Sequence, residues 1–390
     1  MGGVLSSIFS SLLGFLDRLY FIARFAPRRP RYFKDGWGDV ETAQKYADVA
    51  VKYLAVGLPG ALPLEPVSKT LKWGDEYPTK LGADVVIARR GSFKSPLHHV
   101  LPEPAKICYF VVVCPASMKT FPWTGNSSPS HPLQLPAGVS IVLPAIGEHG
   151  SGARVAMAEL LASESNVASI IITAPFYGQR KPQNQPLHYV RTVGDFWNIG
   201  TAIMEEAALL ACWAADQFPL ARMCTTGFSW GGAMASCTAL IASQWLPQDS
   251  PAITVAPYAG SATPSVILEG ILEDDIDWAA LGGKTKARPT LAQIFDTAHL
   301  RSLSQAILSN SESAARLGGV HAVSFRHDSF VKKTFSEDLF ECLSSCCYPG
   351  ANKDISWKSG GHITAFFTRY RYHVQAIRAA LHLRIPESRD

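Results

Sequence analysis

The chain has 390 residues, 47% hydrophobic and 17% charged, and its 36 Lys and Arg against 32 Asp and Glu leave a formal net charge of +4. At about 150 residues per domain this length suggests two or three domains, or one large α/β domain with insertions. So weak a charge, without a basic stripe interleaved with stacking aromatics, argues against a nucleic-acid groove, and no uncharged apolar run reaches the roughly 18 residues that suggest a membrane-spanning helix.

The N-terminus carries apolar residues at Val4, Leu5, Ile8, Phe9, Leu12, Leu13, Leu16, Leu19 and Tyr20, a helical period that predicts an amphipathic helix. Arg24, Arg28, Arg29, Arg31 and Lys34 follow, with Asp17 the single acidic residue before Lys34. A secretory signal carries its positive charge ahead of the apolar stretch, so secretion is not expected. Three readings stay open: an Arg- and Ser-rich transit peptide, a helix in a membrane interface, or a helix packed on the domain. Gly2 and Ser6 also fit the loose myristoylation pattern. The expected organisation is a targeting or anchoring segment 1–34, a helical connecting region 35–82, and a catalytic domain 83–390. Deleting residues 1–34 is expected to leave that domain folded and active.

Beyond Gly82, β-branched runs at 83–89, 106–114, 139–144, 168–174, 223–228, 252–258, 320–327 and 354–357 alternate with helical patterns, strongest at 200–218, 231–244 and 363–382. That alternation predicts a mostly parallel, eight-stranded sheet with helices on both faces. Residues 119–137, rich in Pro and Ser, read as a surface loop. The stretch 261–319 shows helical patterns and no clear strand, and it is too long for a simple connection. It reads as a helical insertion before the penultimate strand, either covering a site or decorating the surface. The eight cysteines lie mostly in apolar segments without CxxC pairs, which reads as reduced and metal-free. Cys342, Cys346 and Cys347 cluster without a zinc-spaced partner and mark a helix end.

The most informative string is 223–236, where a β-run ends in Gly227-Phe228-Ser229-Trp230-Gly231 and a small-residue helix follows. A G-x-S-x-G pattern between strand and helix lifts a serine hydroxyl above the sheet on a strained turn, at a helix N-terminus that favours developing negative charge. Ser229 is therefore the candidate nucleophile. Its base should lie downstream, and His362, presented by Gly360-Gly361 before the last helix, is preferred over His321, His373 and His382 inside elements. Asp328, at the end of the penultimate run, is the candidate acid, with Asp274, Asp275 and Asp277 as rivals. The Trp230 backbone N–H would form half of an oxyanion hole. The loop after Leu143 would supply the other half from Ile146, with Ala145 or Gly147 as alternatives. Glu148, His149 and Arg154 either line the site or belong to a solvated loop.

Six strings in order, LPAIGEHG (143–150), APFYGQRKP (174–182), TGFSWGGAMAS (226–236), IDW (276–278), SFRHDSFV (324–331) and SGGHITAFF (359–367), resemble the alpha/beta hydrolase domain-containing protein 18 family. The resemblance covers most of residues 85–383. It implies an α/β-hydrolase fold with Ser229 as nucleophile, Asp328 as acid and His362 as base. It also implies a membrane-associated lipid hydrolase, with the mitochondrion as the expected location and a cytoplasmic, peripherally membrane-bound enzyme as the alternative. Trp230 stands where the family often has Met. Tyr177, Arg180 and Lys181 match a family signature that either holds an anionic head group or forms a structural turn. The expected activity is hydrolysis of a lipid acyl ester through an acyl-enzyme, without cofactor or metal. An acyltransferase or peptidase on the same residues and a non-catalytic scaffold are the rivals, and oligomeric state is not set by the sequence.

Overall fold

Residues at alternate positions of a strand face opposite sides of its sheet. In β3 (Ile107–Pro115), Cys108, Phe110, Val112 and Cys114 join one apolar core while Val111 and Val113 join a second. The same split recurs in β4 (Gly138–Leu143) and β5 (Val167–Ile172), where Ile141 and Ile170 face one core and Val142 and Ile171 the other. A sheet apolar on both faces must be covered on both, which sets the three-layered architecture.

The computed structural model describes residue 17 and residues 31–42, 67–118, 135–247, 249–309 and 317–383. Among them, nine strands form one sheet in the order β1-β2-β3-β5-β4-β6-β7-β8-β9. The remaining strands are β1 (Lys72–Glu76), β2 (Val86–Lys94), β6 (Arg222–Phe228), β7 (Thr254–Tyr258), β8 (Leu317–Phe325) and β9 (Cys347–Lys358). Pairing is parallel from β5 through β9 and antiparallel among β1, β2, β3 and β5. The helices are α1 (Val67–Thr70), α2 (Gly152–Ser165), α3 (Val193–Gln217), α4 (Trp230–Trp245), α5 (Lys284–Thr297), α6 (Leu300–Ser309), α7 (Lys333–Ser345) and α8 (His362–Ala380). Apolar faces of α3 through α7 pack into the first core, and those of α2 and α8 into the second.

Three expectations are corrected. Among the described residues the sheet has nine strands, because β1 lies in the stretch expected to be helical. Its Trp73 packs against Phe110 and Trp213, and one tryptophan in KWGDE gives no alternation to detect. The insertion ends before residue 319, because Leu317 and Gly319 already pair with Cys347 and Asn352 of β9, and the Gly-Gly pair hides the strand start. The boundary after residue 34 cuts through packed chain. Asp17 and Phe33 are buried, Tyr32 exchanges backbone hydrogen bonds with Asp275 and Asp277, and Phe33 N–H donates to Val190.

The rest of the expected N-terminal helix, most of the 119–137 loop and residues 310–316 lie outside the described residues. Within 261–309 the insertion has two short 3-10 turns, Pro264–Leu268 and Ile271–Asp275, followed by α5 and α6.

Candidate active site

The junction of β6 and α4 sits at the C-terminal edge of the parallel strands. Ser229 adopts φ +59° and ψ −121°, a conformation that costs a non-glycine residue on the order of 1–3 kcal/mol and clusters at functional sites. Its backbone N–H donates to Tyr258 O of the neighbouring strand at 2.8 Å, which holds the turn. The flanking glycines have no room for side chains: a methyl group on Gly227 would lie 2.4 Å from Gly231 O, and one on Gly231 would lie 2.6 Å from Pro144 O. Gly231 thus lets the loop after β4 press against the start of α4.

Two loops deliver the partners. The Ser229 hydroxyl lies 2.8 Å from His362 Nε2, and His362 Nδ1 lies 2.7 Å from Asp328 Oδ2. With Nδ1 donating to the carboxylate, Nε2 is the acceptor for the serine proton. Asp328 Oδ1 accepts the backbone N–H groups of Phe330 and Val331, both at 2.8 Å, so its other oxygen is aimed at the imidazole. The His362 ring is held between Phe228 and Phe330, each with its centroid 4.7 Å away. The rival acids lie elsewhere: Asp275 is buried beneath the Tyr32 backbone, and Asp277 caps Ala280 N–H. His373 hydrogen-bonds Thr226 Oγ1 and stacks on Tyr258. Burial, with Arg369 nearby, pushes its imidazole down to about 3, so it stays neutral as a structural group.

In the loop after β4 the three oxyanion alternatives differ in their partners. Ala145 N–H donates to Glu148 Oε2 at 3.1 Å, and Arg154 holds the other Glu148 oxygen at 2.9 Å. Arg154 is itself tied to the carbonyls of Val142 and Ile172. The Gly147 backbone faces the Tyr177 hydroxyl and favours its ionised form. Ile146 and Trp230 carry no such backbone bond and both line the cavity at Ser229, so a carbonyl oxygen entering there could take both N–H groups.

The signature at 177–181 does not reach the serine. Arg180 is fully buried, forked onto both oxygens of Glu206 at 2.7 Å, and bonded to the carbonyls of Thr173 and Ala105. Tyr177 is buried with its hydroxyl donating to His188 O, and its ionisation is pushed up by burial. Lys181 donates to Gln185 O, and His149 Nδ1 accepts from Gly178 N–H. Tyr177, Arg180 and Lys181 thus fit the structural turn of their two readings, while His149 lies exposed in the loop after β4. The arginine is spent on a buried carboxylate.

Ser229 opens into a cavity of about 410 Å³ lined by Ile146, His188, Phe228, Leu272, Phe366 and Phe367, a size within the range of ligand sites. A second, narrower apolar recess runs from Ser229 past Trp230, Met234, Phe196, Val266 and Ile267. Part of the 261–309 insertion therefore walls the site. Phe330 could have been suspected from HDSFV, but Phe196, His188 and Leu272 carry no local signal. Among the described residues no cluster of His, Cys, Asp or Glu is fit to hold a metal ion, and no helix is long and apolar enough to cross a membrane.

The chain matches the family model alpha/beta hydrolase domain containing 18 over residues 30–334, a span that includes Ser229 and Asp328 and ends before His362. Among solved structures it is similar to a PEG-bound cold-adapted esterase from an Arctic intertidal metagenomic library, at 12% identity over 80% of this chain and 100% of that one, with a TM-score of 0.46. TT1662 from Thermus thermophilus is 17% identical over 71% and 94%, with a TM-score of 0.44. Acylaminoacyl peptidase from Pyrococcus horikoshii is 11% identical, covers 80% of this chain and 44% of its own, and has a TM-score of 0.49.

Proposed function

For a chain that belongs to the alpha/beta hydrolase domain containing 18 family, we propose the function of a serine hydrolase that removes an acyl chain from a lipid ester at a membrane surface. The observation that carries the reading is the hydrogen-bonded line Ser229–His362–Asp328 at the floor of an apolar cavity. In this reading His362 Nε2 takes the Ser229 proton as Oγ attacks the ester carbonyl, and the carbonyl oxygen gathers charge between the Trp230 and Ile146 N–H groups. Asp328 stabilises the imidazolium that forms. The imidazolium then protonates the departing alcohol, leaving the acyl chain on Ser229. Water, deprotonated by His362, attacks that ester and releases a fatty acid.

The mostly apolar linings on both sides of Ser229 favour a hydrocarbon chain over a peptide backbone, whose polar groups are costly to bury beside apolar walls. Phe366, Phe367 and Tyr370 are exposed at the start of α8, and Arg369 lies over the rings of Phe366 and Tyr370. Apolar side chains with a cation beside the cavity mouth suit contact with an anionic lipid surface. Mitochondrial residence belongs to the same proposal and rests on the Arg24-to-Lys34 run.

The test is fatty-acid release from phospholipid vesicles, run beside water-soluble esters and peptides, with Ser229→Ala as the control. Release from vesicles by the native chain, lost in the variant, is the expected result. Cleavage of soluble esters or peptides with no release from vesicles would discard the lipid substrate.

A further inference from the structure

The side chain that ties the acid loop to the base does not come from either loop. Asp17, some three hundred residues upstream, is completely buried, and its carboxylate takes three backbone N–H groups. Oδ2 accepts from His362 at 2.9 Å and from Ser329 at 3.2 Å, and Oδ1 accepts from Ile363 at 3.0 Å. One oxygen thus binds both the base and the residue that follows the acid. The first residues of α8 have N–H groups with no partner inside the helix, and a carboxylate there is stabilised by them and by the helix dipole. Burial and the neighbouring Asp328 push this carboxyl upward while the three N–H groups pull it down.

The fit depends on Gly361. A methyl group there would stand 2.4 Å from Asp17 Oδ2 and 2.7 Å from its Cγ. Gly361 itself has φ −108° and ψ −168°, extended backbone that alanine also adopts. Its lack of a side chain therefore serves the carboxylate rather than the chain's own path.

We propose that Asp17 is a positioning residue for the hydrolysis, clamping the His362 and Asp328 loops in the spacing at which Asp328 holds the imidazole against Ser229. The inference rests on the hydrolase reading above. It reverses the expectation that residues 1–34 are dispensable, since a chain cut beyond Asp17 lacks the clamp. Small displacements of catalytic groups slow chemistry steeply while leaving binding largely intact, so the effect belongs in the rate of reaction at Ser229.

The full chain is reacted with a fluorophosphonate as native protein, Asp17→Ala, Asp17→Asn, Gly361→Ala and the double variant Asp17→Ala/Gly361→Ala, with circular dichroism checking the fold of each. Asp17→Ala is expected to lower the maximal labelling rate at least tenfold, with the probe's half-saturation within about threefold of native and the same final label per chain. Asp17→Asn, which keeps one acceptor oxygen, falls between. Gly361→Ala slows labelling in the native background and adds little in the Asp17→Ala background, because both act through one contact. Native-rate labelling of Asp17→Ala overturns the proposal. So does a loss seen only in the final amount of label, or a Gly361→Ala effect undiminished when Asp17 is absent. A native chain that takes no label overturns the hydrolase reading itself, which separates the two failures.

Discussion

The serine was legible because its chemistry dictates its neighbours. Gly227 and Gly231 have to be glycines for β6 and α4 to meet at a strained turn, and the sequence prints them two residues either side of Ser229. His362 and Asp328 were found by chain order and by their places at loop ends. Arg180 shows the opposite case: a cation in a recognisable string invites a ligand, yet its ligand is Glu206, which sits in a helical run with no mark of pairing. Replacing Arg180 with Met would leave that carboxylate buried alone and is expected to cost about 3–5 kcal/mol in denaturant unfolding. Arg180→Met/Glu206→Leu should recover much of the loss, and the folded single variant should label at the native rate. Native stability with weakened substrate binding would instead restore the head-group role. Asp17 was illegible for a plainer reason, since its partners are backbone N–H groups more than three hundred residues away and no pattern in its own segment encodes them.

Periodicity located eight of the nine described strands and the longest helices, but it missed β1, where only Trp73 turns inward, and it started α3 late. That helix begins with Thr192 accepting from Asp195 N–H, a cap worth about 1 kcal/mol, ahead of the apolar run that drew attention. Buried in the middle of α3, Glu205 has an oxygen without a partner among the described residues, and burial, reinforced by adjacent Glu206, pushes its carboxyl up to about 8 from an ordinary 4.5. The folded state therefore holds a proton there that the unfolded chain releases. Stability from this group is fully present below about pH 4.5, declines as pH rises, and is lost by about pH 8. Glu205→Gln should flatten the stability-against-pH curve in that window and raise stability at pH 8 by up to a few kcal/mol. Thermal unfolding at pH 5 and pH 8 checks it, and an unchanged slope would contradict the assignment.

At the scale of the whole molecule, the described residues form one sheet with additions around it, where the length first suggested several domains. The insertion walls the cavity with Val266, Ile267 and Leu272, and the N-terminal residues reach back to the site through Asp17, Tyr32 and Phe33. The fold class followed from the alternation of strands and helices, and Ser229 from one motif. Contacts that close the site from distant parts of the chain were beyond reach, because residues that meet only in three dimensions share no spacing. The central claim is that this assembled site makes Ser229 a nucleophile, and peptide mapping of the fluorophosphonate adduct tests it most directly. One equivalent of label on Ser229, absent in Ser229→Ala and strongly slowed in His362→Ala, is the predicted result; a folded native chain that takes no label, or takes it on another residue, would contradict it.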